Sequence, residues 1–314
     1  MFQYPLNKKN FQVFNFFFSK LLILLKKFVK NGLKVATRPF KLGIMEVWSR
    51  EEKNKLISDA ISFVKEGGAI AMKYFRKDLT IENKDVTKFD PVTEADKNTE
   101  LEIRSLIEEN YPNDNILGEE YGKKEGTSNL TWVIDPIDGT KAFISGMPTW
   151  GVLLSVVSNS RAILGVIYQP LTGEIFVGGF GDAFFTLSSK VDVKKAIKVR
   201  ECESLENAIV ATSYPRSPLK SQQANLETVL KNSRLDRYGL DCYAYALLAY
   251  GQLDAVVEFG LQEYDIRAPE ALILSAGGII TNLDGSYPLS GGDVIASGDK
   301  RVHQRLVSIF GKSN

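Results

Sequence analysis

Trp132-Val133-Ile134-Asp135-Pro136-Ile137-Asp138-Gly139-Thr140 reads as a buried strand that ends in acid. Trp132, Val133 and Ile134 are apolar and β-favouring, as a central strand requires. Asp135 and Asp138 follow three residues apart, with Pro136 stiffening the turn between them. Gly139-Thr140 then opens a helix-like segment that runs to Ile144. Two carboxylates on a stiff turn suit a hard divalent cation such as Mg²⁺, which takes oxygen ligands in near-octahedral geometry. Amides at a helix start suit a phosphate. Together these parts predict metal-assisted phosphoryl transfer to water. The plainer alternative is a polar turn with a helix cap.

Upstream, Ile116-Leu117-Gly118-Glu119-Glu120 is a short apolar strand that ends in paired acids, a third carboxylate source beside Asp135. Earlier still, Thr93 is a predicted N-cap with Asp96 at the third following position, the spacing of a capping box. Asp96 is then either a first-turn helix acid or a base facing the metal turn. Downstream, Tyr264-Asp265 opens a helix that ends at Gly277-Gly278, and Asp265 reads as its N-cap. Glu258 closes a strand, and Asp241 precedes an apolar helix.

Composition narrows the chemistry. The 314 residues are 44% hydrophobic and 25% charged, an ordinary globular balance. The net charge of +1 hides an asymmetry: residues 1–45 hold nine Lys or Arg and no Asp or Glu, which leaves 30 basic against 38 acidic residues in the remainder. A mildly acidic body argues against nucleic-acid binding and suits cation sites. Cys202 and Cys242 are too few for a disulfide framework and are expected to be buried. The single histidine, His303, is expected at the surface. Catalysis by a Ser-His-Asp triad and a His/Cys zinc site are thereby disfavoured. The chemistry must run on carboxylates, hydroxyls and metals.

Residues 1–44 form a separate object. Phe11 to Leu25 is apolar, but Asn15, Ser19 and Lys20 interrupt it, and Lys26-Lys27 close it. The uninterrupted run of about 20 apolar residues that a membrane span needs is missing. A targeting peptide, an interfacial membrane helix and a false start ahead of Met45 all stay open. Arg38, the only arginine there, weakens the transit-peptide reading. From Ser49 a helix is expected to run to Phe75, through Gly67-Gly68. Trp150–Val157, Ala162–Tyr168, Glu174–Gly178 and Ala183–Leu187 read as an antiparallel meander. A composition shift near Ser188 to Lys198 marks a boundary, so the expected domains are residues 45–190 and 191–314. The second half alternates strand and helix, which implies helices covering a sheet.

Asp90-Pro91-Val92-Thr93-Glu94-Ala95-Asp96, Gly118-Glu119-Glu120, Asp135 to Thr140, and Tyr264-Asp265 with Ala276-Gly277-Gly278 resemble, in that order, the inositol monophosphatase superfamily. The resemblance spans roughly residues 48–312. It implies an α/β fold of αβαβα layers and Mg²⁺-dependent hydrolysis of small phosphate monoesters, with Mn²⁺ as a substitute. Gly139 to Gly151, Asp241 to Ala246 and Tyr264-Asp265 look most like the histidinol-phosphate phosphatase branch. One departure is Leu274-Ser275, where the family usually carries a Glu before Ala-Gly-Gly.

By this similarity Glu119, Asp135 and the Ile137 carbonyl hold one Mg²⁺, and Asp135, Asp138 and Asp265 hold a second. A third, weaker ion lies near Glu119. Asp96 and Thr140 orient and deprotonate the attacking water, and the amides of Gly139 and Thr140 bind phosphate. Asp241 and Glu258 are the acceptors expected to join Asp138 and Asp265 on the substrate: Glu258 for the amine of histidinol phosphate, Asp241 for its imidazole. The alternative substrates are inositol 1-phosphate and a nucleoside 3′,5′-bisphosphate. An alternative of another class is a membrane-associated binding protein with a vestigial site. The resemblance also implies a homodimer and a cytoplasmic location, or an organellar one if residues 1–44 are a transit peptide.

Overall fold

The computed structural model describes residues 48–77, 81–83, 91–216, 219–288 and 290–311, with only the backbone of 81–83 and 91–92. Asp90 and the segment 1–44 lie outside the described residues. Helix α1 (Arg50–Tyr74) starts where its sequence says, on a Ser49–Glu52 capping box. Gly67 and Gly68 lie inside it because side chains pack there. A Cβ on Gly67 would stand 2.6 Å from Ile103, and one on Gly68 2.5 Å from Tyr168.

Strands β1 (Ile81–Asn83) and β2 (Pro91–Thr93) form a small antiparallel ribbon. Helix α2 (Glu94–Asn110) follows, then β3 (Asn115–Gly118), β4 (Gly122–Lys124) and β5 (Leu130–Asp138). After the one-turn helix α3 (Thr140–Ile144) comes the meander: β6 (Gly151–Ser158), β7 (Arg161–Gln169), β8 (Glu174–Gly179), β9 (Asp182–Leu187) and β10 (Lys195–Ala196). These build one sheet in the order β10-β9-β8-β7-β6-β5-β3-β4, antiparallel except for the β3–β5 pair. All eight residues of β6 are buried, as both faces of a central strand must be when covered.

The remainder is β11 (Ile209–Thr212), α4 (Lys220–Asn232), β12 (Leu235–Tyr238), α5 (Cys242–Ala249), β13 (Ala255–Leu261), α6 (Glu263–Ser275), β14 (Ile279–Asn282), β15 (Gly292–Ser297) and α7 (Lys300–Phe310). Its five-stranded sheet has the order β12-β11-β13-β15-β14, with β11 parallel to both neighbours. Alternation along a strand sends neighbours to opposite layers. Val256 and Ala296 join the core shared with α5, α6 and the first sheet. Val257 and Ile295 join the core under α4 and α7. The layers therefore run α1/α2, first sheet, α5/α6, second sheet, α4/α7, the αβαβα arrangement expected.

Two glycines set the position of α6. Gly165 and Gly178 are paired in register across β7 and β8. A Cβ on them would meet the α6 backbone, 2.4 Å from the Ala268 carbonyl oxygen and 2.3 Å from Leu272 Cα. The helix therefore lies directly on the sheet. His303 corrects an expectation: it is only 7% exposed and its Nε2 pairs with Thr281 Oγ1 at 3.0 Å. It faces the core side of α7, and burial lowers its pKa. Both cysteines are buried and free. Among the described residues no helix is long and apolar enough to cross a membrane.

Candidate active site

The Asp135–Thr140 stretch is less of a turn than its sequence suggests. β5 continues through Pro136 to Asp138. Its pairing with β6 slips between Asp135 (opposite Leu153) and Asp138 (opposite Gly151), so β5 carries one extra residue there. This is a β-bulge, which re-aims side chains and tolerates a proline that cannot donate to the ladder. Asp135 is 1% exposed and takes the Ile137 amide at 3.1 Å. Thr140 Oγ1 donates to the Ile137 carbonyl at 3.3 Å. Gly139 sits at φ 88°, and a Cβ there would stand 2.9 Å from the Asp241 carboxylate. Only glycine fits that turn.

Four other segments deliver acids to this bulge. The Asp135 carboxyl is pushed far up, by burial first and then by Glu119, Asp138 and Asp265, the last also hydrogen-bonded to it. Asp138 is likewise raised, by burial first and then by Asp241, Asp265 and Glu258, while a hydrogen bond with the Cys242 thiol opposes the shift. Six carboxylates thus converge: Glu119, Asp135, Asp138, Asp241, Glu258 and Asp265. Lys141 is the cation that draws on one of them, Asp241, whose carboxyl burial lifts to about 6. Among the described residues no group of three or more Asp, Glu, His or Cys side chains is already placed to hold a metal ion. An oxygen-only set that carries so much mutual repulsion fits a hard divalent cation.

Asp265 is not the N-cap of α6. That residue is Gln262, and Asp265 is the third helical residue, accepting the Gln262 amide at 2.6 Å in a capping box. Pro269 lies inside the same helix four residues on and has no amide hydrogen to donate. Asp241 precedes α5, yet its side chain does not cap that helix. It holds φ 47°, a costly conformation for a non-glycine residue and one that clusters at functional sites. Its amide donates to Ser213 Oγ at 2.9 Å, and the Ser213 amide and hydroxyl donate to Glu258 Oε1 at 2.7 and 2.8 Å. One serine therefore ties the two expected head-group acceptors together. Asp96 does cap: Thr93 N and Oγ1 donate to its Oδ2 at 2.8 and 2.6 Å. Buried at 1% exposure, it leads α2 beside β2, against which α3 packs.

Sequence reasoning missed Glu100 and Tyr245. Glu100, fully buried and paired with Arg104 at 2.6 Å, accepts the amides of Glu120 and Tyr121 at 2.7 and 3.2 Å. It fixes the turn that carries Glu119. Its one visible signal is Gly118, where any Cβ would collide with the Glu100 carboxylate. The Tyr245 hydroxyl is buried with no hydrogen-bond partner among the described residues. Electrostatically it feels Glu258, Asp138 and Asp265.

A layered α/β fold with acids gathered where strands of both sheets end is the frame of a phosphatase. A family model for the inositol monophosphatase family matches residues 52–314, and the chain belongs to that family. It is 37% identical over 251 residues to the bifunctional phosphatase IMPL2, chloroplastic, of Arabidopsis thaliana, covering 76% of this chain and 70% of that protein. It is 29% identical over 256 residues to the histidinol-phosphatase of Chlorobaculum parvum, covering 80% and 95% respectively. The solved inositol monophosphatase from Zymomonas mobilis superposes with a TM-score of 0.71 at 32% identity, over 84% of this chain and 100% of that one.

Proposed function

We propose that this phosphatase hydrolyses a small phosphate monoester with a cationic head, histidinol phosphate being the substrate that fits best, in a Mg²⁺-dependent reaction. The observation that supports the cationic head is the pair of acids beyond those needed for metal. Glu258 and Asp241 are joined through Ser213 and lie in the electrostatic reach of Asp138. A neutral polyol gives two further buried carboxyls nothing to compensate. An ammonium and an imidazolium do.

In this reading Glu119, Asp135, Asp138, Asp265 and the Ile137 carbonyl would hold Mg²⁺. When bound, the cation supplies charge that polarises the phosphoryl group and activates water. Everything else falls to the chain's own groups. The amides of Gly139 and Thr140 take phosphate oxygens, oriented by the left-handed turn at Gly139. Asp96 and Thr140 orient the attacking water, and Asp96 accepts its proton. Glu258 receives the amine and Asp241 the imidazole, which sets the phosphorus in line with the water. Attack forms the new P–O bond as the ester P–O bond breaks; the leaving alkoxide takes a proton from a solvent water, and the proton held by Asp96 returns to solvent. No covalent phosphoenzyme is required.

Phosphate release with Mg²⁺ tests this, comparing histidinol phosphate, inositol 1-phosphate and adenosine 3′,5′-bisphosphate. The expected preference for histidinol phosphate is about a hundredfold in kcat/KM, on the order of 3 kcal/mol in transition-state binding. Equal or better turnover of inositol 1-phosphate would leave the phosphatase intact and remove the head-group assignment. A second reading, inositol 1-phosphate itself, draws on the likeness to the Zymomonas mobilis inositol monophosphatase. The membrane-binding alternative would return only if no monoester were turned over with Mg²⁺ or Mn²⁺.

A further inference from the structure

An aromatic residue at the edge of the carboxylate crevice takes no part in any step above. Tyr214 directly follows Ser213, and Ser213 is fixed on every side. Its amide and hydroxyl donate to Glu258, its Oγ accepts from Asp241 N, and its carbonyl accepts from Gly239 N at 3.1 Å. Tyr214 is thus presented from an anchored backbone, next in sequence to the residue that joins both head-group acceptors. Its side chain does no packing work that would explain this: the residue is 54% exposed. What the ring meets is a cation, since Lys141 Nζ stands over it, 5.6 Å from the centroid.

Lys141 follows Thr140 in the phosphate turn and also draws on Asp241. One ammonium therefore acts on both the Tyr214 face and the Asp241 carboxylate. The negative face of a tyrosine ring attracts ammonium, guanidinium and imidazolium groups and does little for a neutral polyol. We propose that Tyr214 is a specificity-determining residue whose ring face receives the cationic head of the phosphomonoester, at the place where the Lys141 ammonium stands. This rests on the cationic-substrate reading above. Displaced from the ring, Lys141 stays beside the phosphate turn, where the incoming dianion compensates it.

The test measures kcat and KM for histidinol phosphate and inositol 1-phosphate with Mg²⁺, in the wild-type chain, Tyr214→Ala and Tyr214→Phe. The ratio of the two kcat/KM values is expected to fall on the order of tenfold in Tyr214→Ala, through KM of the cationic substrate, and to return in Tyr214→Phe, which keeps the ring face. Histidinol, the head without its phosphate, is expected to inhibit Tyr214→Ala more weakly than the wild type. An unchanged ratio, an equal fall for both substrates, or a Phe variant as poor as the Ala variant would each overturn the assignment. A wild-type ratio below one would overturn the substrate reading alone, because Tyr214 is judged by the change in the ratio and not by its starting value.

Discussion

With no cation among the described residues facing it, burial favours the protonated form of Glu258 over the carboxylate. Burial pushes its pKa up to about 8; the two Ser213 donors pull it down, and the charges of Asp241 and Asp265 push it further up. Unfolded, the same carboxyl titrates near 4.3, so between the two values the folded chain binds the extra proton. Its contribution to stability is therefore complete below about pH 4 and is lost as pH rises through about 8. Glu258→Gln imitates the protonated form and removes this dependence. Without added Mg²⁺, the wild-type Tm is expected to fall relative to the variant as pH is raised from about 5 to about 8.5. Parallel Tm–pH curves would mean that Glu258 is ionised throughout. His303 works in the other direction: burial lowers its pKa, so its contribution is present above about pH 6.5 and declines as pH falls below that value. The Gln variant has to be compared at each pH with the wild type, which shares that histidine.

At the scale of elements, acids of the candidate site sit where regular structure is interrupted. β5 bulges between Asp135 and Asp138, and β13 slips against β15 just beyond Glu258. α2 supplies a buried strut, with Glu100 holding the amides that follow Glu119. Groups that orient a metal ligand without touching the metal typically cost 10- to 100-fold in affinity when removed. Glu100→Gln is therefore expected to raise the Mg²⁺ concentration for half-maximal activity by about tenfold. The same change frees Arg104 and lowers Tm, so the Mg²⁺ dependence is the deciding measurement; an unchanged half-saturation would reduce Glu100 to a core ion pair. The contrast between Asp96 and Glu100 shows what a sequence can disclose. Thr93 and Asp96 bond to each other across three residues, so local spacing announces them. Glu100 reaches residues 120 and 121 across a fold that spacing does not describe. The meander was legible for the same local reason, through alternation and turn residues. The bulge was not, because one extra residue in β5 shows only against its partner strand. Asp265 read as an N-cap because Gln262, the true cap, is not a residue type that signals one.

For the molecule as a whole, five layers bring the ends of β3, β5, β11 and β13 and the start of α6 to one crevice. The compact unit that does this begins at Ser49, and the family match begins at residue 52. Helix α1 is capped from within that unit, by Ser49 and Glu52. No residue placed in the site lies before Asp96. Deleting residues 1–44 is therefore expected to leave the Tm, the Mg²⁺ dependence and kcat/KM within about twofold of the full chain, a shift under about 0.4 kcal/mol. The deleted stretch holds nine of the basic residues, no acid, and the Phe-rich run from Phe11 to Leu25. A segment of that composition binds anionic bilayers through charge and buried apolar rings. Co-sedimentation with vesicles containing phosphatidylserine is accordingly expected for the full chain and to drop on deletion, and more steeply at low salt. Equal sedimentation of both would remove the membrane-surface reading of residues 1–44. A fall in kcat/KM on deletion would instead mean that the segment supports the site.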